Sequence, residues 1–290
     1  MKLADSPGAI AIPTQEMQRF LLFTISLAST NQPPGCFLNA VASGSVTENL
    51  NTVFHQLRDD DRWVWIMGDD HCWPNDTLVK MLHTLDEHPE IDVLVPLVTK
   101  RNPPWHLVLF EETGERDESY YSTPMFKPLE WEQVPASGVF EVDAAGSAGM
   151  LIRREVIDQL EPPYFYSTTD RDGRGVVLNE DVTFCTRIRR EHGFRIFATA
   201  DCVLGHLGIF NVRPMHNGER WGALTEFSSM DDKFRHIFMP VEETRQRTAQ
   251  DIQREIERIE ANPLGSYEEQ AGAVEALRWV LNASEESVRV

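Results

Sequence analysis

The chain has 290 residues, 41% hydrophobic and 25% charged, which supplies one sizeable core and excludes a disordered or fibrous protein. With 27 Lys and Arg against 46 Asp and Glu, its formal net charge is -19, a balance that repels phosphate backbones and anionic lipid headgroups and excludes an extended nucleic-acid groove. A local pocket for one nucleotide stays open, because a few arginines and a divalent cation reverse the potential locally.

Residues 9–13, AIAIP, form an apolar run ended by proline, as expected of a buried first strand that stops at a loop. QEMQRFLLFTISLAST then reads as a helix and GCFLNAVAS as a second strand. SVTENLNTVFHQLR is a helix whose Val46, Leu50, Val53, Phe54 and Leu57 share a face. RWVWIMG is a third buried strand ending in the acidic cluster GDDH, DTLVKMLHTLDEH a helix after Pro74 and Asn75, and DVLVPLVTK a fourth strand. Residues 101–140, rich in proline, aromatics and acids, read as a long irregular insertion. VFEVDAAGSAGMLIRREVIDQL gives a strand, a small-residue turn and a helix. A helix from Glu180 and a strand ending in DCVL follow, and beyond about residue 240 helical spacing of Val241, Ile252, Ile256 and Ile259 predicts packing helices. The expected domains are 1–224 and a helical extension over 225–290.

Strands alternating with helices at this spacing predict an α/β fold with a mostly parallel central sheet, in which ligands bind beyond the carboxyl ends of the strands. Cys36, Cys72, Cys185 and Cys202 are scattered without a C-x-x-C pair and read as reduced thiols. The opening residues lack a charged segment followed by an apolar one, and no apolar run approaches the ~20 residues a bilayer needs. A cytoplasmic protein without membrane contact is the expectation.

Four constellations fall at strand ends or helix starts. Asp69, Asp70 and His71 follow the third strand; two adjacent carboxylates with an imidazole suit a divalent cation, or equally an acidic turn capping the next helix. Asn179, Glu180 and Asp181 open a helix, where acids cap and complement the dipole, or, at the ligand edge, supply a general base. His206 lies between glycines after a strand, either structural or completing the coordination of a cation on Asp70. The run from Ala144 to Gly149 permits close approach to a ligand or to a packed neighbour. Lys100 and Arg101 follow another strand, as a solvated pair or as phosphate contacts.

Taken in order, these segments resemble the GT-A glycosyltransferases, a Rossmann-like nucleotide-diphospho-sugar transferase fold, and in particular the group related to family 2, over roughly residues 8–212. The resemblance implies that the loop at Pro13 and Thr14 holds the nucleotide base and that WIMGDDHCWPNDTL carries the D-x-D element. It further implies that Gly149 to Glu155 borders sugar and acceptor, and that Glu180-Asp181 and Gly205-His206 complete the site. Aligned on Pro74, Gly68 stands where the first acid of D-x-D is usual and Asp70 at the second, so either Asp69 takes over the first acid's work or the ribose contact is weaker than usual; Thr14-Gln15-Glu16 replaces the common T-Y-N.

The implied assignment has Asp70, His206 and His71 as ligands of Mn2+ or Mg2+, and Asp181, with Glu180 as runner-up, as the base on an acceptor hydroxyl in an inverting reaction, the same carboxylate having a different role in a retaining one. Contacts to the nucleotide-diphosphate sugar fall to Pro13, Thr14, Ser43, Asn49, Asp69, Lys100, Arg101, Gly146 and Gly149. A nucleotidyltransferase of similar fold would carry a glycine-rich basic loop after the first strand, and AIAIPTQEMQRF has neither glycine nor lysine. A non-catalytic metal-binding module would be all-β with a secretion signal.

Overall fold

The computed structural model describes residues 2–14, 20–42, 44–101, 105–117, 123–169, 176–208, 211–227 and 235–240. The first half runs β1 (Ala9–Pro13), α1 (Leu21–Ser29), β2 (Phe37–Val41), α2 (Val46–His55), β3 (Trp63–Ile66), β4 (His71–Cys72), α3 (Thr77–Glu87) and β5 (Val93–Leu97). Next come β6 (Leu109–Asp117), β7 (Thr123–Pro128), β8 (Val139–Val142), β9 (Ala144–Ala145), β10 (Leu151–Arg153) and α4 (Arg154–Asp158). The remaining described elements are β11 (Thr168–Thr169), β12 (Val176–Leu178), α5 (Glu180–His192), β13 (Ile196–Val203), β14 (Gly205–Leu207), β15 (Asn211–His216), β16 (Trp221–Phe227) and β17 (Arg235–Pro240).

Local chemistry accounts for the helices. Ser45 caps α2 in a reciprocal box with Glu48, the Ser45 hydroxyl accepting from the Glu48 N–H (3.2 Å) and the Ser45 N–H donating to the Glu48 carboxylate (2.7 Å). Leu50, Val53 and Phe54 of α2 are buried, whereas Val46, expected on the same face, is exposed in the first turn. In α3 the buried Leu78, Met81, Leu82 and Leu85 follow the i, i+3, i+4, i+7 spacing of one helix face. α5 stops at Gly193, whose φ of 72° is a left-handed conformation that glycine adopts without a Cβ penalty.

The central sheet has seven strands in the order β2-β1-β3-β10-β5-β13-β8. β1, β2, β3, β5 and β13 run one way and β10 and β8 the other, so the sheet is mostly parallel, as expected. Residues alternate between its faces. Val64 and Ile66 of β3 join the core beneath α2 and α5, while Trp63 and Trp65 join the core beneath α1 and α3. β10 inserts antiparallel between β3 and β5, which the turn at Gly149 allows. Gly149 has φ +77°, donates its N–H to the Ile66 carbonyl (2.7 Å), and would place a Cβ 2.7 Å from Leu204 Cδ1. Gly149→Ala is therefore expected to cost about 2–4 kcal/mol through left-handed strain and overpacking; an unchanged urea midpoint would show that the turn tolerates a side chain.

One expectation is corrected. Residues 101–140 are not one irregular insertion: β6 and β7 form a hairpin that also pairs with β9, and Trp105 and Trp131 are buried in the core. β6 reads poorly as a strand in sequence because Glu111, Glu112, Glu115 and Arg116 crowd it with charge, which is answered across the hairpin by the Lys127–Glu111 ion pair (2.6 Å) and from α5 by Arg190 on Glu112. The chain after residue 204 adds a further sheet. β14, β15, β16 and β17 form with β4 a five-stranded antiparallel sheet. β16 and β17 pair across the expected boundary at 224, and the helices expected beyond residue 240 lie outside the described residues. Among the described residues no helix is long and apolar enough to cross a membrane. None of the four cysteines, all among the described residues, is in a disulfide.

Candidate metal and catalytic site

The parallel strands bring their carboxyl ends to one edge, and the loops after β1, β3 and β5 meet there. Thr14 follows β1, its hydroxyl hydrogen-bonding the Asp69 carboxylate of the loop after β3. Asn49 is fully buried in α2 and ties the loop after β1 to the loop after β2, donating to the Thr14 (2.8 Å) and Gly44 (3.1 Å) carbonyls and accepting from the Gly44 N–H (3.0 Å). Its side-chain amide is engaged by backbone groups of these two loops. Pro13 remains inside β1, paired with Val41. Ser43 lies outside the described residues. From the other side, Trp73 anchors the β4 segment to α1 through the Ser26 hydroxyl (3.0 Å) and the Thr30 hydroxyl (2.8 Å).

Asp70, His71 and His206 converge. β4 and β14 pair antiparallel with His71 opposite His206, a register that puts both side chains on one face. The rings stack with centroids 4.2 Å apart and planes 26° from parallel. His71 Nδ1 lies 2.7 Å from Asp70 Oδ1, and His206 Nε2 lies 3.2 Å from Asp70 Oδ2. His206 Nδ1 faces the Thr99 carbonyl at 2.8 Å. A carbonyl can only accept, so Nδ1 donates to it and Nε2 is the ring nitrogen turned toward Asp70. Thr99 was invisible to sequence reasoning because a backbone carbonyl does the work.

Burial alone would raise the Asp70 pKa, but the hydrogen bonds and charges of His206 and His71 outweigh it and hold the carboxyl well below the usual range. Burial pushes the His71 pKa below the ordinary imidazole range, against the opposing pull of Asp70. Gly68 makes room for this cluster: a Cβ there would sit 2.7 Å from His71 Nδ1 and 3.0 Å from Asp70 Oδ1. Gly68→Ala should displace His71 and weaken Mn2+ binding at an overpacking cost of about 1–3 kcal/mol. Calorimetric Mn2+ titration with circular dichroism as the fold control checks this, and unchanged affinity would show that the ring has space to retreat.

Arg101, expected on the donor phosphates, reaches Asp70 Oδ2 at 2.6 Å. Lys100 is exposed, its N–H held by the His106 carbonyl (2.9 Å). Glu180 and Asp181 open α5. A Cβ on Gly146 would lie 3.6 Å from Asp181 Oδ2, so the small-residue turn borders this carboxylate. Asp181 Oδ1 accepts from the Val182 N–H (2.7 Å). Burial, reinforced by the neighbouring Glu180 charge, outweighs the backbone hydrogen bonds and raises the Asp181 pKa from 3.8 to about 6. Glu180 lies 3.5 Å from the Ser167 hydroxyl. A short backbone ladder joins the two clusters, with Gly146 N–H on the Val108 carbonyl (3.0 Å), Val108 N–H on the Val98 carbonyl (2.9 Å), and the next residue, Thr99, on His206. Gly149, by contrast, is buried in the turn beneath the edge and serves packing.

The family model described as "Glycosyltransferase like family 2" matches residues 36–258, most of the chain. The chain belongs to this family. As a family 2-like glycosyltransferase it uses a nucleotide-sugar donor and an acceptor. Among solved structures it is similar to "Crystal Structure of A197 from STIV", at 15% identity and TM-score 0.47, covering 71% of this chain and 88% of that one. It is also similar to "Crystal structure of S. aureus TarS 1-349", at 16% identity and TM-score 0.38, covering 68% of this chain and 58% of that one. No curated protein matches this family 2-like sequence.

Proposed function

We propose that the protein is a GT-A type, metal-dependent glycosyltransferase that binds Mn2+ or Mg2+ through Asp70 and His206, with His71 beside them, and uses Asp181 as general base. The observation that carries this is the convergence of Asp70, His71 and His206, whose ligand atoms all lie within 4.8 Å of one another. The residues fit a cation: His71 is buried yet its Nε2 has no hydrogen-bond partner, and buried polar atoms are otherwise almost always satisfied. When bound, the cation neutralises charge on the departing nucleoside diphosphate.

This chain's own residues do the rest. Thr14 and Asp69 hold the nucleoside side of the donor, and Arg101, exchanged from Asp70, reaches the phosphates. Asp181 takes the acceptor hydroxyl proton as that oxygen bonds to the anomeric carbon, and the bond from that carbon to the diphosphate oxygen breaks with its electron pair leaving on the diphosphate. A carboxylate whose pKa is raised to about 6 suits this task, since a base near the working pH both exists deprotonated and accepts a proton readily. Gly146 gives the acceptor room beside it.

Calorimetry with a panel of nucleoside diphosphates, with Mn2+ and with a chelator, followed by donor hydrolysis assays on the matching nucleotide sugars, tests the reading. Chelator-sensitive binding of one nucleotide and release of free sugar are expected. Binding indifferent to the chelator would remove the metal, and a product carrying a nucleotidyl group would replace the activity.

A further inference from the structure

Two imidazoles and one carboxylate make an unusual donor set for an ion that has only to bridge phosphates. Mg2+ demands a tight octahedron of oxygens and dehydrates reluctantly. Imidazole nitrogen instead suits first-row transition ions, whose affinities rise along the series from Mn2+ through Co2+. Asp70 and His206 alone would leave the choice open. His71 tips it. Its ring is 5% exposed, Nε2 has no hydrogen-bond partner, and Nδ1 lies 2.7 Å from Asp70 Oδ1.

A histidine buried for packing ordinarily finds partners for its nitrogens, because leaving one orphaned costs about 1–3 kcal/mol. Here the surroundings are arranged to keep the ring in place without satisfying it. Gly68 withholds the Cβ that would displace it, the ladder between β4 and β14 sets it opposite His206, and the His206 ring covers its face.

We infer that His71 is itself a metal ligand, and that it makes the site select a nitrogen-accepting transition ion over Mg2+. This rests on the loop after β3 being the cation site proposed above. The full chain, stripped with a chelator, is titrated separately with Co2+, Mn2+ and Mg2+ by calorimetry. Pulsed EPR of the Mn2+ form, made from protein labelled with 15N-histidine, counts the bound imidazoles.

Two coupled histidine nitrogens are expected in the unsubstituted protein, with Co2+ and Mn2+ binding more tightly than Mg2+. His71→Gln should leave one nitrogen and lower Co2+ affinity by at least the roughly 10–100-fold typical of outer partners of a metal site, with Mg2+ affinity nearly unchanged. One coupled nitrogen in the unsubstituted protein would overturn the inference while leaving the cation site standing, and that count does not depend on whether the variant folds. Equal loss of Co2+ and Mg2+ affinity in His71→Gln would overturn the selectivity. Ion binding that Asp70→Asn leaves intact would overturn the cation site and the inference together.

Discussion

Asp181→Asn is expected to lower sugar transfer by about 10²–10⁴-fold while leaving nucleoside-diphosphate affinity nearly unchanged, the signature of a lost general base. The amide keeps the size of the side chain and its place at the start of α5, and asparagine caps a helix nearly as well as aspartate. The unsubstituted enzyme should gain activity as pH rises through about 6, where Asp181 loses its proton, and that limb should vanish in the variant. Stability should move the other way. A carboxyl whose pKa is raised on folding binds its proton more tightly in the native state, so its contribution is present below the unfolded value and is lost as pH rises through about 6. Asp181→Asn should accordingly melt no lower than the unsubstituted protein at pH 7.5. A normal transfer rate, or a clear drop in melting temperature at that pH, would return Asp181 to a capping role. Glu180→Gln, measured alongside, would receive the catalytic role if it alone were inactive.

Replacing Asp70 with asparagine should cost about 10²–10³-fold in transfer, the equivalent of several kcal/mol of lost charge stabilisation, and unlike Asp181→Asn should weaken metal-dependent donor binding. Asp70 is the group that His71, His206 and Arg101 all face. Without its charge Arg101 loses its ion pair and the two imidazoles lose the anion between them. His206→Gln should show the same loss of Mn2+-dependent nucleotide binding, since it removes the nitrogen opposite Asp70 Oδ2. The comparison that matters is nucleotide affinity with and without Mn2+ in each variant. If Asp70→Asn retained the metal-dependent increment, the ion would have to sit elsewhere.

Much of the frame was legible because the βα units at the start of the chain announce themselves by period. The apolar run WVWI and the face Leu78, Met81, Leu82 and Leu85 became β3 and α3 at the expected places. The ends of the parallel strands then placed Asp70 at the ligand edge by rule. What escaped was structure held by distant partners. β10 is only three residues long and pairs antiparallel between strands from elsewhere in the chain, and β6 looks like loop until Lys127 and Arg190 answer its charges and Asp143 accepts from the Glu112 N–H. In the site, residue types pointed to Asp70, His71 and His206, whereas the parts played by Gly68, Asn49 and the Thr99 carbonyl follow from space and backbone geometry that residue type does not encode. The expected phosphate contact of Arg101 meets a nearer attraction in Asp70.

The two histidines belong to strands whose sequence positions are far apart, and what joins them is a single short ladder between β4 and β14. In such a ladder the orientation of a side chain depends on whether its position is odd or even. One residue added between Leu204 and His206 would send the imidazole to the opposite face of the sheet, with no change in composition around Asp70 and His71. Gly205 guards this parity, because any side chain there would strike Asn211 and come within 2.7 Å of Cys72 Sγ. The proposed metal site is thus as sensitive to the length of the chain at this crossing as to the chemistry of its side chains, and a deletion of one residue would be as damaging as the loss of a histidine.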